Sequence, residues 1–274
     1  MLRGLVLSGL VTLGLLLGGA SPAVAEVDRA RVAAFLTVTG FDAAVDSLGQ
    51  SAAMAPVLLG REPDAFGADW ERLVAEVFAP AAMLDEATDI LAQTLDDDML
   101  THAAEFYAGS LGQRLVVAEN AAHRTPEADK SSAAAAALAG ATPERVALLR
   151  RMLAALDATG TGIRALEEIQ IRFLETADAA GVIELQVDIA RLRALLAEGR
   201  AAMAEQMETA ALEGSAWTYA GFSDADLQDY AAALEAPLMR KVYGLMNAVQ
   251  FEIMVKRFET LAARMAELRP GRDL

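Results

Sequence analysis

The residues of this sequence best able to do chemistry are its two histidines, each with a glutamate about one helical turn away. His102 and Glu105 are spaced i, i+3, and Glu119 and His123 are spaced i, i+4. On a helix each pair shares a face and could hold a divalent metal. The same spacings suit an ordinary ion pair or two solvated side chains. Two imidazoles without a dense carboxylate cluster make a thin ligand set, and no metal site is expected. A second candidate is DATGTGIRALEE from Asp157, with Asp at position 1, Gly162 at position 6 and Glu168 at position 12, as in an EF-hand loop. Thr159 and Thr161 stand where a calcium loop needs charged or amide oxygens, so the stretch reads as a helix-turn-helix with acids in its second helix.

Other chemistries are closed off. The chain has no Cys, which removes thiol nucleophiles, Cys-ligated zinc, iron–sulfur clusters and disulfides. It carries no G-x-S-x-G elbow and no P-loop. The net charge of −16 disfavours nucleic acid and anionic lipid, both of which call for a basic face. No catalytic residue and no cofactor is expected. An enzyme working through carboxylates is the least supported reading, because no spacing supplies the pair.

Aromatic residues offer a different kind of site. Phe106 and Tyr107 stand beside Gly109-Ser110 and Gly112, and Trp217, Tyr219 and Phe222 fall in the Gly-flanked stretch SAWTYAGFSD. These five form the candidate interaction surface. The reading preferred over a surface is structural: Gly109 closes one helix in the left-handed conformation, Ser110 and Gln113 form a capping box that opens the next, and the rings plug gaps between helices.

The elements that must position these residues are helical. Ala, Leu, Glu, Met, Arg and Gln dominate, and these cost least in a helix. Leu185, Ile189, Leu192, Leu196, Met203 and Met207 line one helical face. A longer stripe runs from Leu238 through Val242, Leu245, Val249, Ile253, Phe258, Leu261 and Met265 to Leu268. Thr125-Pro126-Glu127 and Thr142-Pro143-Glu144 read as helix starts, with the Ala-rich SSAAAAALAG between them as a connecting helix. LTVTG at 36–40 and LDATG at 156–160 read as helix ends. Before all of these, Arg3, the apolar run from Leu5 to Leu17 and Ala23-Val24-Ala25 make a signal peptide over residues 1–25. The mature chain then begins at Glu26, lies in the periplasm and keeps no stable membrane anchor.

A shift of 127 residues aligns LDDDMLTHAAEFYAGSLGQRLV from Leu95 with FSDADLQDYAAALEAPLMRKVY from Phe222, with a helix breaker at the same place in each. The expected fold is therefore all-α, an antiparallel helical bundle of two related helical halves, 26–140 and 141–274. Phe106, Tyr107, Leu111, Gly112 and Arg114, spelling F-Y-x-x-x-L-G-x-R after the acidic start Asp96 to Asp98, resemble the bacterial domain of unknown function 2059. The resemblance spans Leu95 to Glu119, with a fainter echo from Phe222 to Tyr243. Where the family's turn has Pro this copy has Gly109-Ser110, while the second copy has Pro237 but lacks the Phe-Tyr pair. The resemblance implies an exported helical protein and no particular activity. The function expected is a non-enzymatic interaction with a protein partner or an apolar ligand. The alternative is a carrier of a lipid or other hydrophobic small molecule, suggested by 11 Met.

Overall fold

A computed structural model describes residues 28–268, apart from 53–54, 61, 63–65 and 158–160. The expected signal peptide and the end of the LDATG stretch lie outside the described residues. In chain order the helices are α1 (Arg29–Thr39), α2 (Phe41–Asp46), α3 (Leu48–Ser51), α4 (Ala55–Leu58), α5 (Gly67–Val77), α6 (Pro80–Thr94) and α7 (Asp97–Ala108). They continue with α8 (Ser110–Arg124), α9 (Glu127–Ala139), α10 (Pro143–Leu156), α11 (Thr161–Ala179), α12 (Ile189–Thr218), α13 (Asp224–Glu235) and α14 (Pro237–Arg264). No strand occurs among the described residues, so the fold is all-α. Nor is any single described helix long and apolar enough to cross a membrane.

The architecture is organised by α14. Its apolar residues recur every three or four positions, burying Met239, Val242, Met246, Val249, Ile253, Phe258 and Leu261. At 1.5 Å per residue it is about 42 Å long, enough to touch α5, α6 and α7 as well as α10, α11 and α13. One contiguous core, from Val32 in α1 to Met265 just after α14, therefore serves both halves. Each fully buried Leu or Phe in it contributes about 1.5–3 kcal/mol. Lys256 and Arg257 of α14 both pair with Glu86 of α6, at 2.7 and 2.8 Å, which fixes the helix in register against the first half.

Local chemistry explains most boundaries. Asp28, Asp96, Thr142, Asp188 and Ser223 each accept a backbone N–H in the first turn of the helix they start. Gly40 ends α1 at φ 73°, and a Cβ there would lie 2.6 Å from Asn120 Oδ1, so both conformation and space call for glycine. The Ala-rich stretch is α9, which lies against α12.

Two boundaries and one helix face differ from expectation. Thr125 ends α8, and Pro126 rather than Thr125 occupies the cap of α9, so the Thr hydroxyl donates to the Ala121 carbonyl instead. Leu185 precedes α12, because Gly181 at φ 72° and the Asp188 cap leave the residues between α11 and α12 irregular. Along α12 only Leu212 and Ala216 are buried. The rest of the expected stripe is half-buried or, at Met203, exposed, since α9, α10 and α11 cover only part of its circumference.

The shift of 127 reappears in the helix spans. Asp97–Ala108 followed by Ser110–Arg124 corresponds to Asp224–Glu235 followed by Pro237–Arg264, with starts and corners at equivalent positions. The correspondence of spans is confined to these two helix-corner-helix units. The helices that precede them differ in number and length.

Candidate functional site

Four of the five residues picked out for their aromatic character, Phe106, Tyr107, Tyr219 and Phe222, converge on the junction between the two corners. All four tyrosines of the chain join one network there, and two of them reach a single carboxylate, Glu119. Tyr219 Oη donates to Glu119 Oε1 at 2.7 Å, and Tyr230 Oη donates to the same oxygen at 2.9 Å. Tyr107 Oη lies 3.2 Å from Tyr230 Oη and is also hydrogen-bonded to Tyr243 Oη. Phe106 stacks on Tyr230 with ring centroids 5.8 Å apart, and Tyr219 meets Phe222 edge to face at 5.9 Å. Arg114 lies over Phe222 at 5.2 Å and pairs with Asp226 at 2.6 Å.

Electrostatics follow from the enclosure. Burial pushes the Glu119 carboxyl above its ordinary value, and the two phenol hydrogen bonds pull it back to some extent. All four phenols are held above their ordinary value, first by burial and then by charged and phenolic neighbours. A network of phenols on one carboxylate, with no cation paired to it among the described residues, can hold helices together.

This placement revises the expected interaction surface. Tyr107 and Tyr219 are buried, at 2 % and 7 % exposure, and face the interior. Phe106 and Phe222 are half-buried members of the same cluster. Trp217 is half-buried in the last turn of α12, not in a loop, and makes no ring contact with the cluster among the described residues. The expected capping box at Ser110 is absent. Gly109 is extended (φ −68°, ψ 163°) rather than left-handed, and Gln113 Nε2 donates to the Ala108 carbonyl. The glycine the motif needs is Gly112. A Cβ there would lie 2.5 Å from Tyr107 Cα and collide with the Phe106 carbonyl, so its absence lets α8 press against α7.

The glutamate of the second candidate metal pair is committed elsewhere. Glu119 faces the tyrosines, and burial together with the charge of Lys130 pushes the His123 imidazole below its usual value. In the EF-hand-like stretch, Asp157 accepts from the Thr161 and Gly162 amides at 2.8 and 2.9 Å. Burial opposes its ionisation, but those bonds prevail and hold the carboxyl below its ordinary value. Glu168 pairs with Arg172 and Arg193. Among the described residues no group of three or more His, Asp or Glu side chains is arranged to hold a metal ion.

A cleft that the sequence did not announce lies elsewhere, walled by α10, α11 and α14 with Met207 of α12 at its edge. Its volume is about 910 Å³, and it opens to solvent. Leu153, Leu156, Ile169, Phe251 and Met254 supply apolar wall, and small residues on facing helices, Ala165, Gly244 and Ala248, leave the space unfilled. Polar groups at the walls are few. Asp157 is turned to the amides of α11, and Asn247 Nδ2 donates to the last carbonyl of α10, Leu156 O, at 2.9 Å. Thr161, Arg164, Arg240 and Gln250 are the other polar residues of the lining.

Comparison with known proteins bears on the first corner and not on the cleft. The model of a family described as "Uncharacterized protein conserved in bacteria (DUF2059)" matches residues 81–143, from α6 to the start of α10, which is less than a quarter of the chain. This is the family that the Phe-Tyr-to-Arg114 motif resembles. Neither the curated proteins nor the solved structures contain a match.

Proposed function

We propose that this chain is an exported, non-enzymatic helical protein that binds an apolar or amphipathic molecule in the cleft between α10, α11 and α14. The observation that carries the proposal is the cleft itself. Sites for small molecules run from about 300 to 1,000 Å³ with mostly apolar walls, and a volume near 910 Å³ lined by leucines, Phe251, Met207 and Met254 suits that use. Methionine adapts its shape to a ligand at low cost, which favours a flexible hydrocarbon over one rigid substrate. A non-catalytic role is supported by the polar groups at the cleft, since Asp157 and Asn247 are already bound to backbone. Export is supported by Arg3, the apolar run from Leu5 and the Ala23-Val24-Ala25 cleavage pattern.

A partner helix in the same cleft is the second reading. The α14 residues that line it, Arg240, Gly244, Asn247, Ala248, Phe251 and Met254, form one face over about 21 Å. The test is Gly244→Trp. A Cβ at Gly244 meets nothing within 4 Å, so the indole fills the cleft without disturbing the core. Titration with a solvatochromic naphthalene dye should show bright, saturable binding to the native protein and little to the variant, with unchanged helical melting. Equal dye binding by both would remove the cleft as the site. Intact-mass analysis of protein from the periplasmic fraction should give Glu26 as the first residue, and recovery of the full-length chain in membranes would overturn the export reading.

A further inference from the structure

Resting on that reading, we infer that the cleft takes an amphiphile with an acidic head group, and that Arg240 holds the head. The chain carries a net charge of −16, and most of its cations are spent on its own carboxylates. Arg151 grips Glu235, Arg193 and Arg172 share Glu168, Arg200 grips Glu167, and Lys256 and Arg257 share Glu86. Arg240 differs. It is exposed, lines the cleft and forms no ion pair among the described residues. The nearest acid whose charge it feels is Glu235, and both oxygens of that carboxylate are occupied by Arg151, at 2.7 and 2.6 Å.

Across the cleft, the lone lining carboxylate, Asp157, stays ionised but is satisfied by helix amides, with the charge of Arg164 acting on it. An acidic protein thus presents, at the Arg240 end of a largely apolar cleft, an exposed positive charge without an ion pair among the described residues. The polarity also has a direction. Arg240 stands at the N-terminal end of the α14 face, and Phe251 and Met254 stand three to four turns away at its apolar end. A head group at Arg240 with a hydrocarbon tail laid toward Met254 satisfies both ends. A neutral hydrocarbon leaves the guanidinium unpaired, and a cationic amphiphile is repelled.

The experiment compares laurate, dodecanol and dodecyltrimethylammonium, which share one tail, by calorimetric titration at neutral pH and below their micellar concentrations. Native protein should bind laurate about tenfold or more tightly than dodecanol, the gain expected of one charge-assisted hydrogen bond. Arg240→Gln should erase that difference with thermal melting unchanged, because the side chain is exposed and forms no ion pair among the described residues. Equal affinity for laurate and dodecanol, a preference for the cation, or a laurate preference that survives in Arg240→Gln would each overturn the head-group assignment while leaving the cleft as an apolar site. If no member of the series binds and Gly244→Trp alters nothing, the proposed function fails with it.

Discussion

The corner between α7 and α8 and the corner between α13 and α14 have equivalent helix starts but solve the turn with different residues. Both extend the backbone at the corner, Gly109 at ψ 163° and Ala236 at ψ 135°. Both begin the first helix with a side-chain cap, Asp96 to the Met99 amide and Ser223 to the Asp226 amide. They diverge a turn later. Gly112 lets α8 close on α7, whereas the equivalent position holds Met239, a fully buried side chain. Tyr107 in the first corner corresponds to Leu234 in the second, so the first contributes a phenol to the shared network and the second contributes a hydrocarbon. Capping and backbone direction thus define the turn, while side-chain volume decides how closely its two helices approach.

The largest test sets Tyr107→Ala against Leu234→Ala. Each deletes a core side chain, at a cost of about 3–5 kcal/mol for an aromatic and 2–5 for a leucine. Tyr107→Ala should fall at the top of its range, because Tyr230 and Tyr243 lose a hydrogen-bond partner as well. Denaturant melts in which Leu234→Ala is the more damaging would show that the phenol network adds nothing to packing. Next comes Gly112→Ala, whose methyl group meets backbone rather than a flexible side chain. A loss of about 1–3 kcal/mol or more is expected, against under about 1.5 for the volume-conserving Met239→Leu. A neutral Gly112→Ala would mean that the close approach of α7 and α8 is not what the glycine serves.

The third test is a slope rather than an offset. The folded pKa of Glu119 lies above its unfolded value of 4.5, so its contribution is full below pH 4.5 and is lost as the pH rises through the folded value. Glu119→Gln keeps an amide oxygen for Tyr219 and Tyr230 but does not titrate. Its melting temperature should therefore gain on that of the native protein between pH 4.5 and neutrality, and a constant gap would show that burial does not disfavour the charge. The smallest effects concern the caps. Asp96→Ala and Ser223→Ala should each cost about 1 kcal/mol, whereas Ser110→Ala, which removes no cap, should stay within about 0.5.

What could be read in the sequence was local. Thr142 as a cap, Gly40 as a stop and the Ala-rich helix all depend on a few neighbouring residues, and each stands as the sequence implied. Ser110 misled because its spacing from Gln113 satisfies the capping-box pattern. The chain instead starts the helix at Ser110 itself and turns Gln113 back to the Ala108 carbonyl. Trp217 misled because Gly214 and Gly221 look like loop boundaries, yet Gly214 is tolerated inside a long helix. The tyrosine network had one visible signal, four tyrosines in an aromatic-poor chain, but nothing local joins Tyr107 to Tyr243 across 136 residues. The cleft had none. It exists because Ala165, Gly244 and Ala248 fail to fill a space between helices, and a void between distant segments leaves no periodicity.

The convergence of every tyrosine on one buried network also gives the molecule an optical property. No phenol stands apart to ionise at its ordinary value of 10. Their folded values lie above it, so their contribution to stability is intact below pH 10 and is lost as the pH climbs beyond. In alkaline solution the ultraviolet band of phenolate should then emerge in a single step, together with the loss of helical ellipticity. Each chromophore becomes visible only when the junction of the two corners comes apart.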